Sequence, residues 1–320
     1  MFPRRTLDYN RYMIYCVALN PSLDYHVFTD TFTVGELNRT QKELLLPGGK
    51  AINVAQVMKD FGYDCVIFGF TAGSIGREIR KLVRAMGLKD EMSYADSGMS
   101  RINLKIHAKE ETELNGTGPL LTEDDIRDLM EKLDSVKDGD VLILSGSIPP
   151  SVPRTIYADI LKRVGGKKIL TAVDSTGDLL TCTLPFRPFV IKPNHKELGD
   201  IFGKRIDTRE EAVPYARLLQ EQGARNVLVS LAEEGAVLLT EEGNVFFCNA
   251  PEGKAVNTIG SGDSMLAGFL YGMTEKNDHE YALRTGIAAG SACAFSEGLA
   301  TKNKMLELLD GITSYTSIMS

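Results

Sequence analysis

The sequence is short of features that mark several large classes of protein. It has 36 Lys and Arg against 43 Asp and Glu, a formal charge of −7. Broad nucleic-acid binders need a basic surface, so no nucleic-acid partner is expected, although a few cations in one cleft can still hold an anion. The five cysteines, Cys16, Cys65, Cys182, Cys248 and Cys293, form no CxxC pair and no Cys/His ligand spacing. Such an odd, unpatterned set suits a reducing compartment, and the cytoplasm is the expected location. The longest apolar run, residues 12–19, falls far below the ~18 residues a membrane span requires. The first residues carry charge without an apolar stretch, so 1–12 read as a flexible leader and not as a secretory signal.

What remains is the composition of an ordinary globular protein, 43% hydrophobic and 25% charged. At 320 residues the chain can bury enough apolar surface to fold without a disulfide or structural metal. A buried strand over 13–19 stops at Asn20-Pro21, and Pro47-Gly48-Gly49 precedes a helix over 51–61. From residue 141 onward, strands and helices alternate, which implies a mostly parallel sheet with helices on both faces. Two apolar helices, 264–273 and 282–297, are expected to close the chain. Residues 25–46 and 101–116 are polar-interrupted and do not fit that sheet. They are expected to form one small β lid on a single α/β domain spanning 13–312.

The most informative stretch is Asn257-Thr258-Ile259-Gly260-Ser261-Gly262-Asp263-Ser264, which runs into an apolar helix. Gly260 and Gly262 let the backbone turn tightly and approach a ligand, and a helix N-terminus offers free N–H groups and a positive dipole end to an anion. Asp263, in the first helical turn, reads either as a capping carboxylate or as a reactive group. Lys192-Pro193-Asn194-His195-Lys196-Glu197 has the spacing of a capping box, with Asn194 as N-cap and Glu197 three residues on. Asp24 lies just past the first strand, where open α/β sheets bind ligands. Arg101, Asn103 and Lys105 share one face of an alternating strand, either a solvated face or a cluster of donors.

Gly260–Leu270 and Gly48-Gly49-Lys50-Ala51-Ile52-Asn53, about 210 residues apart, together resemble the two signatures of the PfkB (ribokinase-like) carbohydrate kinase family. The resemblance covers nearly the whole chain from Met13. It implies an α/β, ribokinase-like three-layer sandwich with a small β lid. It also implies an ATP-dependent sugar kinase in which Asp263 is the general base and the Gly260-Ser261-Gly262 backbone an anion hole. On this resemblance ATP lies against Lys192, Asn194 and the segment Ser230-Leu231-Ala232-Glu233-Glu234-Gly235, with Ala232 where relatives often carry Gly. The same resemblance puts the small-residue helix face Ala288-Ala289-Gly290-Ser291-Ala292 beside the adenine pocket and has Glu197 hold Mg²⁺ through water. Sugar binding falls to Asp24, Gly49, Lys50, Asn53, Arg101, Asn103, Lys105 and Ser145.

Asn20-Pro21-Ser22-Leu23-Asp24, Gly35-Glu36-Leu37-Asn38-Arg39, Arg101-Ile102-Asn103-Leu104-Lys105, Glu113-Leu114-Asn115 and Ser145-Gly146-Ser147-Ile148-Pro149 resemble the branch holding 1-phosphofructokinase and tagatose-6-phosphate kinase. Three cations, Lys50, Arg101 and Lys105, fit a substrate that already carries phosphate. The expected reaction is fructose 1-phosphate to fructose 1,6-bisphosphate, with tagatose-6-phosphate kinase or 6-phosphofructokinase as alternatives. A non-catalytic sugar-phosphate sensor would have lost Asp263 or the glycine pair, and a dinucleotide-binding oxidoreductase would carry GxGxxG after the first strand. A homodimer through the lid is expected if the lid's outer face is apolar.

Overall fold

The computed structural model describes residues 12–316, so of the expected leader only Tyr12 is among the described residues. The chain runs through β1 (Met13–Ala18), β2 (Ser22–Phe28), β3 (Lys42–Gly48), α1 (Lys50–Asp60), β4 (Asp64–Ala72), α2 (Gly73–Ala85), β5 (Lys89–Asp90), β6 (Ser93–Ala95), β7 (Arg101–His107) and β8 (Thr112–Asn115). There follow α3 (Glu123–Lys132), β9 (Val141–Ser145), α4 (Ile156–Val164), β10 (Leu170–Asp174), α5 (Gly177–Thr181), β11 (Val190–Ile191), α6 (His195–Phe202), α7 (Arg209–Glu221) and β12 (Asn226–Ser230). The last elements are β13 (Ala236–Leu239), β14 (Val245–Cys248), α8 (Ser261–Lys276), α9 (His279–Ala294), α10 (Lys302–Leu309) and β15 (Ser314–Thr316).

The main sheet has the order β15-β14-β13-β12-β11-β10-β9-β1-β4-β5, with β6 on β4. From β5 to β12 neighbouring strands are parallel, and β12 to β15 are antiparallel. A parallel sheet must be covered on both faces, and β1 shows how its sequence meets that demand. Ile14, Cys16 and Ala18 enter one core with α1, α8 and α9. Tyr15, Val17 and Leu19 enter the other, with α3, α4 and α7. Alternate residues therefore feed opposite layers, which gives the continuous apolar run its three-layer sandwich.

Two expectations are corrected here. The chain does not close on two helices: α10 and β15 follow, and β15 extends the sheet by pairing with β14. Nor are residues 25–46 all strand. The lid sheet begins at Ser22, residues 29–41 form a loop, and β3 resumes at Lys42.

The lid sheet has the order β3-β2-β7-β8, with β2 and β7 parallel and in register from Ser22 with Arg101 to Phe28 with His107. Asp24 thus sits within a lid strand and not at the end of β1. The close approach of β3 explains Gly48, because a Cβ there would overlap the Asp24 carboxyl. Among the described residues, no helix is long and apolar enough to cross a membrane.

Candidate active site

One cavity of about 1180 Å³ runs between the carboxyl ends of the parallel strands and the lid. That volume exceeds the usual range for a single small ligand and leaves room for two. Its centre is the start of α8. Gly260, with φ 82, is the N-cap residue and makes no side-chain cap, and Asp263 follows in the first turn. Asp263 does not cap the helix either. Its Oδ2 accepts instead from Asn53 Nδ2 at 2.8 Å, from the first turns of α1. The Ser261 N–H donates to Thr258 O at 3.2 Å, so the N–H groups left open to an anion at this turn are those of Gly262 and Asp263, which a helix leaves unpaired in its first turn.

Burial raises the pKa of the Asp263 carboxyl to about 6, with nearby Asp174 adding to the rise while Asn53, Lys50 and Lys192 oppose it. A carboxylate poised there is ionised at neutral pH and still basic enough to accept a proton. Asp174 ends β10 and is fully buried, with Lys50 Nζ at 2.9 Å and Lys192 Nζ at 3.2 Å. Burial alone would raise its pKa, but the two ammonium groups overcome that and hold it below the usual carboxylate range. Lys50 also lies 3.7 Å from Glu197 Oε1. Burial opposes its charge, yet Asp174, Glu197 and Asp263 together keep its pKa above the usual lysine range.

Lys50, expected to act with Arg101 and Lys105, lines the same cavity as they do, but its ammonium is paired with Asp174 because the start of α1 faces the end of β10.

Asn194 and Glu197 form the expected capping box on α6, Glu197 N–H to Asn194 Oδ1 and Asn194 N–H to Glu197 Oε2, both at 2.8 Å. One Glu197 oxygen is thereby used, and the other, 3.7 Å from Lys50, is on a residue that lines the cavity. Among the described residues no group of three His, Cys, Asp or Glu could cage a metal ion. Mg²⁺ needs no such cage, since it commonly keeps its waters and takes one or two carboxylates plus substrate phosphates. Glu197 fits that donor set. Lys192 Nζ lies 3.2 Å from where a Cβ on Gly262 would be, so the glycine gives the ammonium access to the turn.

On the lid side, Asp24 Oδ1 accepts from Ser22 Oγ at 2.6 Å and Asn103 Nδ2 at 3.0 Å. Arg101 Nε donates to Asn20 O at 2.9 Å, and Lys105 Nζ pairs with Glu113 Oε1 at 2.8 Å. Asn20 Oδ1, Asn103 Oδ1, Ser145 Oγ and Ser261 Oγ are buried without a hydrogen-bond partner. All four residues line the cavity. Such atoms cost free energy unless a ligand or water satisfies them, so they are open to donors entering the cavity.

Of the nucleotide-side residues, Ser230, Ala232 and Glu233 line the cavity, whereas Leu231, Glu234 and Gly235 do not. Leu231 is buried in the core. Its N–H donates to Gly235 O at 2.8 Å, which folds Glu234 and Gly235 into a tight turn away from the cavity. Asn20, Glu113, Asp174 and the wall made by Ala250, Gly253 and Phe295 were missed. Asn20 and Glu113 stand inside the motifs quoted above, and Asp174 offered the signal of a carboxylate closing a buried strand in an α/β pattern.

A family model for pfkB family carbohydrate kinases matches residues 13–305. The chain is 43% identical over 297 residues to 1-phosphofructokinase of Bacillus subtilis, covering 93% of this chain and 97% of that one. It is 34% identical over 295 residues to D-tagatose-1-phosphate kinase of Bacillus licheniformis, covering 92% and 96%. Among solved structures, phosphofructokinase-2 of Escherichia coli in complex with fructose-6-phosphate superposes with a TM-score of 0.86 at 26% identity, over 94% of this chain and 98% of that one. The expected ribokinase-like fold is the fold observed.

Proposed function

The chain belongs to the pfkB family of carbohydrate kinases, and on that premise we propose that it transfers the γ-phosphoryl group of ATP to a ketohexose phosphate, fructose 1-phosphate above all. The observation that carries this reading is the placement of Asp263. Its desolvated carboxyl lines the same cavity as the donor-rich lid strands and as Ser230, Ala232, Gly253 and Phe295. A sugar phosphate anchored at Arg101 and Lys105 presents its far hydroxyl, O6 in fructose 1-phosphate, to Asp263.

Asp263 takes the O6 proton as the oxygen attacks the γ-phosphorus in line, and the bond to the β-phosphate oxygen breaks. Charge on the transferring phosphoryl group is met by the N–H groups of Gly262 and Asp263 and by the Lys192 ammonium, all fixed before the reaction begins. Asn53 holds the carboxyl in place. Mg²⁺, held by the nucleotide phosphates with Glu197 reaching it through water, would supply further neutralisation of phosphate charge. Asp24 and the unpaired oxygens of Asn20, Asn103 and Ser145 accept and orient sugar hydroxyls.

The test is a kinase assay with ATP across fructose 1-phosphate, tagatose 1-phosphate, tagatose 6-phosphate, fructose 6-phosphate and free fructose. The highest kcat/KM is expected for fructose 1-phosphate, and a higher value for any other acceptor overturns the assignment. The 34% identity to a D-tagatose-1-phosphate kinase supports the C4 epimer as a second reading.

The cysteines are all free and four of the five are buried, which supports a reducing, cytoplasmic setting. Leu45, Ile102 and Leu114 are exposed on the lid face turned away from Asp24 and His26, and they support a homodimer formed lid to lid. Sedimentation of Leu45→Asp as a monomer beside a native dimer would bear this out, and a native monomer would refute it.

A further inference from the structure

The lid sheet carries a histidine pair that the reaction described above does not use. His26 Nδ1 on β2 lies 2.9 Å from His107 Nε2 on β7, with the rings stacked at 5.2 Å. His107 Nδ1 in turn lies 3.2 Å from Glu111 Oε1. A carboxylate only accepts, so His107 Nδ1 carries a proton and donates it there. In the neutral pair His107 Nε2 is then the acceptor, His26 Nδ1–H the donor, and His26 Nε2 the bare nitrogen, an assignment made from the hydrogen-bond network. One added proton at His26 Nε2 keeps both hydrogen bonds and gives the pair a single positive charge. A second has no nitrogen to occupy.

The pair stands on the cavity side of the lid. Strand register sets Lys105 opposite His26 and Glu113 opposite Lys105, while β3 places apolar Leu44 opposite His26. The charges that His26 feels directly are those of Asp24, Lys105 and Glu113, besides His107. Beyond His107 stand Glu111 and, across the Phe28 ring, Lys42. Burial holds the His26 imidazole below its usual range, so it is neutral at neutral pH without a ligand. The cations Arg101 and Lys105 are matched by the carboxylates Asp24 and Glu113, so the patch has no net charge to offer a dianion.

We propose that the His26–His107 pair is a specificity-determining element, taking up one proton at His26 Nε2 when a sugar phosphate binds at Arg101 and Lys105 and thereby favouring phosphorylated over unphosphorylated ketohexoses. The proposal rests on the ketohexose-phosphate reading above. The proton comes from the buffer and returns to it on release, and the rings act on the phosphate through the field they create, without touching it.

The experiment is titration calorimetry of the native enzyme with fructose 1-phosphate, without ATP, at pH 7.5 in buffers of different ionisation enthalpy. At that pH the ligand is already a dianion, its second pKa being about 6. Uptake of between half a proton and one proton per site is expected, with near zero in His26→Gln. Glu113→Gln, which keeps both rings and removes one opposing carboxylate, should bind the phosphate more tightly with less uptake. In steady state, KM for the sugar phosphate should rise with pH by at most tenfold per unit in the native enzyme and stay flat in His26→Gln. Binding without proton uptake, or uptake unchanged in His26→Gln, overturns the coupling and leaves the substrate reading intact. No binding of fructose 1-phosphate at all overturns the substrate reading and the coupling with it.

Discussion

The carboxyl ends of the parallel strands and the lid sheet both bring charge into one cavity, but they hold it differently. At the strand ends, Asp174 is fully buried between two lysines, and Asp263 is fixed by Asn53. In the lid, Lys105 is paired with a Glu113 whose side chain is 44% exposed, and Asp24 shares its oxygen with Ser22 and Asn103. A fully buried ion cannot give up a partner without a large cost, whereas a half-exposed carboxylate can give way to an incoming phosphate. The chemistry is therefore preorganised on one wall and recognition is exchangeable on the other. Substitutions on the two walls should differ in kind as well as in size.

The largest effect is expected at Asp263. Asp263→Asn keeps the contact with Asn53 and removes the base, so kcat should fall by about 10²–10⁴-fold. In the native enzyme kcat/KM should fall as pH drops through about 6, where the carboxyl becomes protonated. Stability should move the other way. A carboxyl whose folded-state pKa lies above its unfolded value adds stability only while protonated, and that contribution is lost as pH rises through about 6. At pH 8 the ionised Asp263 should cost on the order of 2–3 kcal/mol, so Asp263→Asn should melt at a higher temperature than the native enzyme. A variant with native turnover, or one that melts lower at pH 8, would break the contrast between the two walls.

Next in size is Asp174→Asn. Losing one partner of a buried charge cluster typically costs about 3–5 kcal/mol, and here Lys50 and Lys192 would be left facing each other. Denaturant unfolding measures that loss. The acid limb of the rate profile supplies an independent check: without the Asp174 charge, Asp263 should titrate lower and activity should persist to more acid pH. An unchanged acid limb would mean that Asp174 does not act on Asp263.

This contrast also decides what could be read from the amino-acid order. The glycine-rich turn before Asp263, the capping box of Asn194 and Glu197 and the buried apolar run of β1 are local patterns, and the structure has each where the spacing put it. Asp174 escaped because Val173-Asp174-Ser175 reads as any strand end until Lys50 and Lys192 arrive from elsewhere in the chain. Lys50 was grouped with Arg101 for the converse reason: sequence showed a cation beside a glycine pair, but not which strand end α1 would face. The register of β2 with β7 joins segments almost 80 residues apart, so the His26–His107 pair was unreadable until the sheet was assembled. Local geometry is written in spacing, and charge partnerships depend on topology.

On the lid wall a loss of binding without loss of chemistry is expected. Arg101→Ala removes a guanidinium that lines the cavity and donates to Asn20 O. A charge-assisted hydrogen bond to phosphate is worth about 1.5–3 kcal/mol, which corresponds to a rise of about 10–150-fold in KM for the sugar phosphate. KM for ATP and kcat should change little. A rise confined to ATP, or equal activity on free fructose, would remove phosphate recognition from the lid.

The smallest expected effect tests rigidity directly. Ala232, which lines the cavity, has φ 48, a left-handed conformation that a Cβ disfavours by about 1–2 kcal/mol. Such strain persists only where the surroundings impose it. Here a tight turn does so, with Leu231 N–H on Gly235 O at 2.8 Å and Gly235 N–H on Ala232 O at 3.1 Å. Ala232→Gly releases the strain but frees the unfolded chain, at a cost of about 0.4–1 kcal/mol, so a net gain of roughly 0.5–1 kcal/mol is expected by denaturant unfolding. The reverse exchange in the lid is Gly35→Ala, at φ 85 with nothing within 4 Å of the new Cβ. An exposed loop can relax around that methyl, so the loss there should be the smaller of the two. If Gly35→Ala costs more than Ala232→Gly gains, the lid loop is the stiffer segment and the division between a fixed wall and an exchangeable one fails.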